Sequence, residues 1–414
     1  MDDTDVLIIG AGLAGLRCAA VLRGAGRDVR VWEASDAVGG RIRTDVVDGF
    51  RCDRGFQVLN PAYPELKHAI DVAALRLQPF GAGVAVRRET DAAVWVHPLR
   101  SPTKVPAMLA SGGLGPRDVV AVARWAAGAL RPNHLKAAGH GDTSLRAALD
   151  RAGVSGELRR VVDRFLAGVL LEDDGVTSNA FALLLIRMFV LGVPALPAEG
   201  MQALPGQLAA GLGDSITLQR NVTELAKSGV GWQAGDGAHI IRARHVVVAT
   251  DAVAAAELIG LSAPPMHGVA TDWWAADEVP SGPPMLWVDG RVNPRGPVLN
   301  TSVISAAAPS YAPAGRHLIA ASALMAKDGT APDESVTRAH AAGILGADAT
   351  RWSLLVRHRV PRALPEQSAP LAVRRPVRTD DGAWVCGDHR DTASIQGALV
   401  SGRRTAEAIL KAGG

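Results

Sequence analysis

Cysteine is scarce in this chain, and its few occurrences follow no spacing typical of a metal site or a disulfide framework. Cys18, Cys52 and Cys386 are the only three, and no two of them form a CxxC pair. An odd set of widely separated cysteines predicts reduced thiols in or near the core rather than disulfides or metal ligands. We therefore expect a cytoplasmic protein without a bound metal. An apolar strand close to Met1 predicts no secretory leader.

An excess of charge of either sign is also lacking. The sequence has 44 Lys and Arg against 41 Asp and Glu, a formal net charge of +3 over 414 residues. Because positive and negative charges are so closely balanced, there is no electrostatic reason to expect nucleic acid as a partner. Hydrophobic residues make up 48% of the chain and charged residues 21%, which indicates a folded protein long enough for two sizeable cores.

A continuous apolar run long enough to cross a membrane is absent from the sequence. The longest apolar stretch, residues 181 to 196, is interrupted by Arg187, Gly192 and Pro194. Two interpretations stay open for it: a buried helix that lines the core or a substrate cavity, and a face that docks on a membrane. The apolar residues 119 to 130 fit either interpretation.

What the sequence does contain, at its start, is a glycine-rich turn between two apolar strands. Residues 6 to 9 are apolar and lead directly into Gly10, Gly12 and Gly15. Gly10 permits a tight turn, Gly12 lets the backbone approach a pyrophosphate, and Gly15 allows the next helix to pack closely. The N-terminus of that helix favours phosphate. The turn therefore predicts a dinucleotide-binding βαβ unit.

An acidic residue completes this dinucleotide motif. Glu33 ends the second predicted strand, close to the spacing of about 20 residues at which a carboxylate binds a ribose hydroxyl. A carboxylate there repels a 2′-phosphate, which argues against NADP. No second glycine motif follows the apolar strand at residues 246 to 249, which runs into Thr250 and Asp251. We therefore expect electrons to come from an organic substrate rather than from NAD(P)H, and to pass to oxygen or another acceptor.

Further segments resemble those of one family. Residues 33 to 41, which end in Gly39-Gly40-Arg41, resemble the extended FAD motif of the flavin amine oxidase superfamily, which includes amine oxidases, protoporphyrinogen oxidases and phytoene-desaturase-like enzymes. Residues 221 to 225 resemble that family's strand whose valine backbone meets the adenine. Gly387-Asp388, followed by residues 395 to 402, resembles its C-terminal flavin motif. The resemblance runs through the whole chain in order and implies FAD as the cofactor.

The chemistry of several residues agrees with the roles that the resemblance implies. Arg41 offers a forked cation that suits a pyrophosphate, and Asp388 offers a short acceptor that suits a ribityl hydroxyl. Gly397 and Ala398, at the start of the closing helix, would place N–H groups near the N1 and O2 edge of the flavin. The segment that contains Gln57 resembles the one that runs along the isoalloxazine ring.

The full set of FAD-binding residues that the resemblance and the dinucleotide motif imply is Gly10, Gly12, Leu13, Ala14, Gly15, Glu33, Ala34, Gly40, Arg41, Gly55, Phe56, Gln57, Val58, Val222, Thr250, Gly387, Asp388, Gln396, Gly397 and Ala398. Simpler roles stay open for three of them. Asp388 could be a turn residue, Gln396 a helix cap, and Gln57 a polar residue of the surface.

The resemblance also implies a fold class, a mixed α/β protein of two interleaved domains. We expect a discontinuous Rossmann-like FAD-binding domain with an inserted α+β substrate domain, built of an antiparallel sheet and helices. Residues 103 to 192 are mostly helical by pattern, and residues 269 to 325 alternate strands with Pro and Gly turns. The predicted FAD-binding domain comprises residues 1–80, 197–263 and 372–414, and the predicted substrate domain comprises residues 81–196 and 264–371.

The predicted substrate side departs from the amine-oxidising members of the family. Those relatives place a lysine near flavin N5 from a substrate-domain strand, and the corresponding residues 268 to 274 contain none. Residues 360 to 365 contain no cysteine that could attach the flavin, so we expect noncovalent FAD. Only Tyr63 and Tyr311 are available for an aromatic cage. Four tryptophans could replace tyrosines there or simply belong to the core: Trp273, Trp274, Trp287 and Trp352.

No catalytic side chain is assigned, because a hydride that passes directly to the flavin needs no acid or base. His97, His389 and Arg390 could assist proton transfer or bind a substrate anion. The leading hypothesis is an FAD-dependent oxidoreductase that removes a hydride from a C–N or C–C bond of an apolar or amphiphilic small molecule. A carotenoid- or porphyrin-type desaturase or isomerase is the first alternative. A non-redox binding protein on the same fold is the second.

Overall fold

The computed structural model describes residues 2–112, 114–130, 141–279 and 281–413. Parts of the predicted helical stretch, residues 113 and 131–140, lie outside the described residues. The elements of the first half are β1 (Asp2–Ile9), α1 (Leu13–Gly24), β2 (Val29–Trp32), β3 (Thr44–Val47), β4 (Phe50–Asp53), α2 (Leu66–Ala69), β5 (Gln78–Pro79), β6 (Gly83–Arg87), β7 (Ala92–Val96), α3 (Val105–Ala110), α4 (Pro116–Ala126), α5 (Leu145–Ala152), α6 (Gly156–Leu170), α7 (Asn179–Leu191), β8 (Ala195–Leu196) and α8 (Ala203–Ala210).

The second half of the chain contains most of the strands. Its elements are β9 (Ile216–Thr217), β10 (Glu224–Ser228), β11 (Gly231–Gly235), β12 (Ile240–Val248), α9 (Ala252–Ile259), β13 (Met266–Ala276), β14 (Leu286–Asp289), β15 (Val298–Val303), α10 (Ile304–Ala307), β16 (His317–Leu324), α11 (Glu334–Leu345), β17 (Ser353–Pro365), β18 (Trp384–Val385) and α12 (Ile395–Ala412).

The strand of the dinucleotide motif lies inside a seven-stranded sheet. The strand order is β10-β11-β12-β1-β2-β9, and β18 pairs with the C-terminal end of β12. β1 runs parallel to both of its neighbours, and Ile9 aligns with Val248 and with Trp32. The side chains of β1 from Val6 to Ile9 are buried, as their continuous apolar run predicts. The parallel strands thus end at one edge, which is where ligands bind in such sheets.

A second seven-stranded sheet carries the other half of the fold. Its order is β17-β13-β16-β15-β14-β6-β7, with antiparallel pairs everywhere except between β14 and β6. α6 packs on β14 and β15, so helices cover one face of this sheet. The α/β fold predicted from the sequence is confirmed: a sheet rich in parallel strands stands beside an antiparallel one.

Most of the long apolar stretch forms α7, whose apolar side chains lie largely inside the protein, although Leu191 at its end is exposed. Ser178 begins this helix by accepting a hydrogen bond from the Phe181 N–H, at 3.1 Å. Phe181 and Met188 are buried, and the helix ends before Gly192. This arrangement agrees with the interpretation of a buried helix. Among the residues that the structure describes, no helix combines the length and apolarity needed to cross a membrane.

The tryptophans considered for an aromatic cage belong to the core. Trp273 and Trp274 lie on β13 and are at most 1% exposed, and Trp287 and Trp352 are also buried. Trp273 packs in one apolar cluster with Ile8 of the dinucleotide motif, so the two sheets share a core.

Candidate functional site

A single cavity connects the edge of the parallel sheet to the space between the second sheet and helices α6 and α7. Its volume is about 1310 Å³. Pockets for one small ligand usually measure about 300–1,000 Å³. The cavity therefore has room for a dinucleotide and a second molecule, end to end. All the predicted FAD-binding residues line it except Gly15, Gln396 and Gly397.

The glycines of the first turn differ in what surrounds them. Gly10 has a φ of +107°, and a Cβ there would lie 2.9 Å from the carbonyl oxygen of Ala249. A Cβ on Gly15 would collide with the carbonyl oxygen of Gly10, because α1 packs directly against the turn. A Cβ on Gly12, in contrast, would meet no protein atom within 4 Å. Gly12 is thus free of packing demands and borders open cavity, as a phosphate-approach position requires.

Glu33 follows β2, and its carboxylate is already hydrogen-bonded to two backbone N–H groups and to the Ser35 hydroxyl. Oε2 accepts a hydrogen bond from the Ala11 N–H at 2.6 Å, and Oε1 accepts one from the Ser35 N–H at 2.9 Å. Oε1 also accepts a hydrogen bond from the Ser35 hydroxyl. These bonds fix the carboxylate against the cavity, and Oε2 keeps a further lone pair for a ligand hydroxyl. Glu33 also accepts, through its carbonyl oxygen, a bond of 2.8 Å from the Arg220 N–H.

The family resemblance implies one strand for residues 221 to 225, and this is wrong for the first part of the segment. Val222 does not lie on a strand, since β10 begins at Glu224. Gln219 turns the chain with a φ of +57°, and its N–H binds the carbonyl oxygen of Ser35 at 3.0 Å. The loop is therefore held beside the Glu33 end of the cavity, and Val222 lines that end from a loop.

Arg41 and Asp388 bring the two ends of the chain together on the cavity wall. The guanidinium Nη2 of Arg41 lies 2.7 Å from Oδ1 of Asp388, and Nη1 donates to the carbonyl oxygen of Ala363 at 2.8 Å. Burial opposes the charge on Arg41, but the Asp388 carboxylate outweighs it and raises the pKa of Arg41. Arg41 therefore stays charged, and the two side chains hold each other in place.

The start of α12 differs in detail from the sequence prediction. Ser394 caps this helix by accepting a hydrogen bond from the Gly397 N–H at 3.0 Å, so that N–H is not free for a ligand. Gln396 is not the cap, because its Oε1 accepts from the Glu65 N–H at 2.9 Å, behind the cavity wall. Ala398 lines the cavity, but its N–H donates to the carbonyl oxygen of Ser394 at 2.9 Å and is therefore also bonded within the protein. A serine just before a helix is a capping signal that could have identified Ser394.

Gln57 lies on the cavity wall and not on the outer surface. Its Nε2 donates to the carbonyl oxygen of Arg41 at 2.7 Å and to that of Arg54 at 3.1 Å. Its Oε1 is buried and has no hydrogen-bond partner among the described residues. A buried acceptor without a partner costs about 1–3 kcal/mol, so this atom is suited to a ligand donor.

The part of the cavity beyond the dinucleotide motif is called the apolar chamber here. The residues that define it come from the second sheet and from α6 and α7, and include Val84, Val161, Phe165, Leu185, Phe189 and Leu286. Of residues 268 to 274, where a lysine was sought, Val269 alone lines the wall. No described wall residue is a lysine. The acidic residues of the described wall all belong to the dinucleotide end: Glu33, Asp251, Glu257 and Asp388.

The three residues considered for proton transfer or anion binding are placed differently. His97 lines the cavity, where burial and then Arg100 lower its pKa. His389 and Arg390 lie outside the described wall. Burial lowers the pKa of His389 to about 4, so its imidazole is neutral at physiological pH. The structure therefore leaves His97 as the one of the three that can face a ligand directly.

Comparisons with known proteins agree with this geometry. A family model described as flavin containing amine oxidoreductase matches residues 13–410. Putrescine oxidase of Kocuria rosea is 44% identical over 73 residues, 18% of this chain and 15% of that enzyme. Protoporphyrinogen oxidase 2, chloroplastic/mitochondrial, of Arabidopsis thaliana is 37% identical over 71 residues, 17% of this chain and 14% of that protein. The chain thus matches only about a seventh of the length of these relatives.

The structural likeness, in contrast, extends over full chains. The crystal structure of an oxidoreductase from Methanosarcina mazei superposes with a TM-score of 0.76 at 19% identity, covering 97% of this chain and 100% of that one. At such identity the likeness shows the fold alone. The family model covers nearly the whole sequence, and on that ground the chain belongs to the flavin-containing amine oxidoreductase family.

Proposed function

We infer that this protein binds FAD noncovalently and oxidises an uncharged, largely apolar small molecule by removing a hydride from a C–N or C–C bond. The observation that carries this proposal is the cavity, which joins the dinucleotide motif to the apolar chamber without interruption. A molecule in the chamber would lie next to whatever group occupies the middle of the cavity. That is the arrangement that direct hydride transfer requires.

The residues of the dinucleotide end fit FAD. Gly12 leaves open space beside the backbone, Oε2 of Glu33 keeps a lone pair for a ribose, and Gln57 keeps an unpaired acceptor farther along the wall. Arg41 supplies positive charge beside them. Cysteine is absent from the described wall, which supports noncovalent binding. When bound, FAD supplies the hydride acceptor, and the protein supplies binding, orientation and electrostatics.

The chamber supports an uncharged substrate. Its wall excludes water by being apolar, and its described residues include neither a carboxylate nor a lysine. An ammonium group buried there would lose its hydration without gaining a counter-ion, which costs several kcal/mol. Arg100 also lines the cavity, and its Nη2 donates to the carbonyl oxygen of Leu191 at 2.8 Å, so this donor is already paired. The lack of a carboxylate among the described chamber residues argues against a cationic diamine as substrate, although putrescine oxidase is among the relatives by sequence.

The same observation favours a second candidate, a desaturase or isomerase of carotenoid- or porphyrin-type substrates. A carotenoid is long and apolar, and a porphyrin presents a broad apolar ring with carboxylates at its edge. The chamber walls of α6 and α7 are built from the aliphatic and aromatic side chains that such surfaces contact. A non-redox binding protein is less well supported, because the dinucleotide end keeps both the Glu33 carboxylate and the Arg41–Asp388 pair.

One preparation and one titration test the proposal. The purified protein is expected to be yellow, or to become yellow when FAD is added, and to retain the colour through gel filtration. Under anaerobic conditions, polyenes or uncharged cyclic substrates should bleach the flavin absorbance, and putrescine should not. Bleaching by porphyrinogens alone would favour the second candidate. Bleaching by putrescine would overturn the uncharged-substrate assignment. A colourless protein that cannot be loaded with FAD would overturn the oxidoreductase and favour the binding protein.

A further inference from the structure

A row of polar residues crosses the face of the second sheet that lines the cavity. Thr271 on β13 aligns with Ser322 on β16, and Ser322 aligns with Asn300 on β15. Directly opposed residues of adjacent strands point to the same face. The hydroxyls of Thr271 and Ser322 bind each other at 2.9 Å. Among the described residues, the Asn300 carboxamide has no such partner, although Asn300 is only 3% exposed.

Two features of the backbone place this carboxamide on the chamber wall, between β15 and α6. The pairing of β15 with β16 shifts register between Val298 and Asn300, a bulge of the kind that re-aims a side chain beside a functional site. Opposite the bulge, α6 has Gly168 in its interior, where glycine costs about 1 kcal/mol relative to alanine. A Cβ on Gly168 would collide with Nδ2 of Asn300. The glycine therefore makes room for the carboxamide, and both residues line the cavity.

We propose that Asn300 is a specificity-determining residue that donates a hydrogen bond from Nδ2 to an uncharged oxygen of the substrate, such as a carbonyl oxygen. This inference rests on the proposed function and extends it, because it gives the apolar substrate one polar group at a fixed depth. The Asn300 carboxamide borders the cavity, so a ligand that displaces water from the chamber leaves it unpaired at a cost of about 1–3 kcal/mol, unless an oxygen of that ligand accepts its hydrogen bond. A hydrocarbon of the same shape cannot do so.

The group that Asn300 recognises is uncharged because the chamber supplies no countercharge. The described acidic wall residues belong to the dinucleotide end, and Arg100 binds the C-terminal carbonyls of α7. Asn300 itself is neutral and discriminates by hydrogen bonding alone. A site built to hydrogen-bond a substrate group rejects the analogue that lacks it much more strongly than an apolar pocket rejects an extra methyl group.

The test uses three probes of one skeleton: 2-acetylnaphthalene, 2-isopropylnaphthalene and 1-(2-naphthyl)ethylamine. They carry a ketone, no polar group and a cation, in nearly the same shape. Equilibrium dialysis with the purified protein in the presence of FAD gives Kd for each. The variants are Asn300→Leu, which keeps the volume, and Gly168→Ala, which displaces the carboxamide. The control is Thr301→Val, the next residue on β15, whose hydroxyl binds the carbonyl oxygen of Ala320 instead.

Wild-type protein is expected to bind the ketone at least tenfold more tightly than the ammonium probe. Asn300→Leu and Gly168→Ala should each lower the ketone-to-hydrocarbon affinity ratio about tenfold, through loss of one hydrogen bond. Thr301→Val should leave that ratio within twofold. A ratio unchanged in both Asn300→Leu and Gly168→Ala overturns the role of Asn300, and tighter binding of the ammonium probe overturns the uncharged class. Flavin absorbance of the same samples reports separately on the proposed function, since a protein without flavin fails that proposal alone.

Discussion

The Arg41 guanidinium lies 2.7 Å from the Asp388 carboxylate, and these two residues are 347 positions apart in the chain. Arg41 follows the glycine pair Gly39-Gly40, and Asp388 follows β18, which pairs with the end of β12. The ion pair therefore joins the N-terminal and C-terminal parts of the dinucleotide end directly. Asp388 is 7% exposed in its side chain and Arg41 is 32% exposed, so the pair is partly shielded from water.

Breaking this pair is expected to weaken both the fold and the binding of FAD. In a cycle of Arg41→Ala, Asp388→Ala and the double variant, we expect a coupling energy of about 1–2 kcal/mol. This value lies between those typical of exposed and buried pairs. Urea unfolding of the FAD-free proteins measures it. Additive single effects would show that the two charges do not stabilise each other.

The glycines of the first turn give a prediction that separates binding from stability. Gly12→Ala is expected to lower the stability of the FAD-free protein by no more than about 1 kcal/mol, because its Cβ meets no protein atom. It should still weaken FAD at least tenfold, since the Cβ enters the space of the pyrophosphate. Gly15→Ala should cost about 2 kcal/mol or more without FAD, because its Cβ meets the backbone carbonyl of Gly10.

Thermal unfolding with and without FAD measures both effects of the glycine substitutions. The matched control is Gly24→Ala at the end of α1, where a Cβ also meets no atom within 4 Å but no cavity is near. Equal FAD affinities for Gly12→Ala and Gly24→Ala would contradict the role of Gly12.

Most residues of the predicted dinucleotide end line one cavity in the structure, because the sequence information for that end is local. Gly10, Gly12 and Glu33 act within one βαβ unit, where spacing along the chain determines spacing in the fold. Gln396 illustrates the limit of that approach. Its side chain binds the Glu65 N–H, 331 positions away, and no local pattern indicates that contact.

Asn300 could not have been found from sequence for the same reason. Its orientation depends on a bulge between two strands and on Gly168 of a helix that packs over them. A single asparagine in an apolar strand and a single glycine in an apolar helix are each unremarkable alone. The apolar chamber as a whole follows from how α6 and α7 cover the second sheet, which periodicity along the chain does not specify.

Asp53 is expected to make the protein less stable as the pH rises from about 4 to about 6. Burial raises its pKa to about 6, although Thr44, the Met201 N–H and Tyr311 all donate to the carboxylate. The folded state therefore keeps a proton that the unfolded chain, with a pKa of about 3.9, has already released. Stability is full below pH 4 and falls by about 3 kcal/mol as the pH rises through 6.

Urea unfolding of the FAD-free protein at several pH values between 4 and 7 tests this slope. The asparagine of Asp53→Asn cannot ionise, so this variant should lack the decrease in stability with rising pH that Asp53 contributes. Asp381→Asn, at an exposed position, is the control and should retain the wild-type profile. A profile of Asp53→Asn that parallels the wild type would show that Asp53 is not the group responsible.

His389 is expected to act in the opposite direction over nearly the same range. Burial lowers its pKa to about 4, and neither ring nitrogen has a hydrogen-bond partner among the described residues. The unfolded chain, with a pKa of about 6.5, therefore takes up a proton that the folded state refuses. Stability from this group is full above pH 6.5 and is lost, by about 3 kcal/mol, as the pH falls toward 4.

Replacing His389 by leucine removes the imidazole without breaking a hydrogen bond to any described residue, so His389→Leu should abolish this loss at low pH. Its stability profile should fall more steeply with rising pH than that of the wild type, whereas the profile of Asp53→Asn should rise. The exposed His68 provides the control, since His68→Gln should follow the wild type. If the two substitutions change the slope of stability against pH in opposite directions, each group is identified without reference to absolute stability. If both change the slope in the same direction, the pKa shift of at least one group is contradicted.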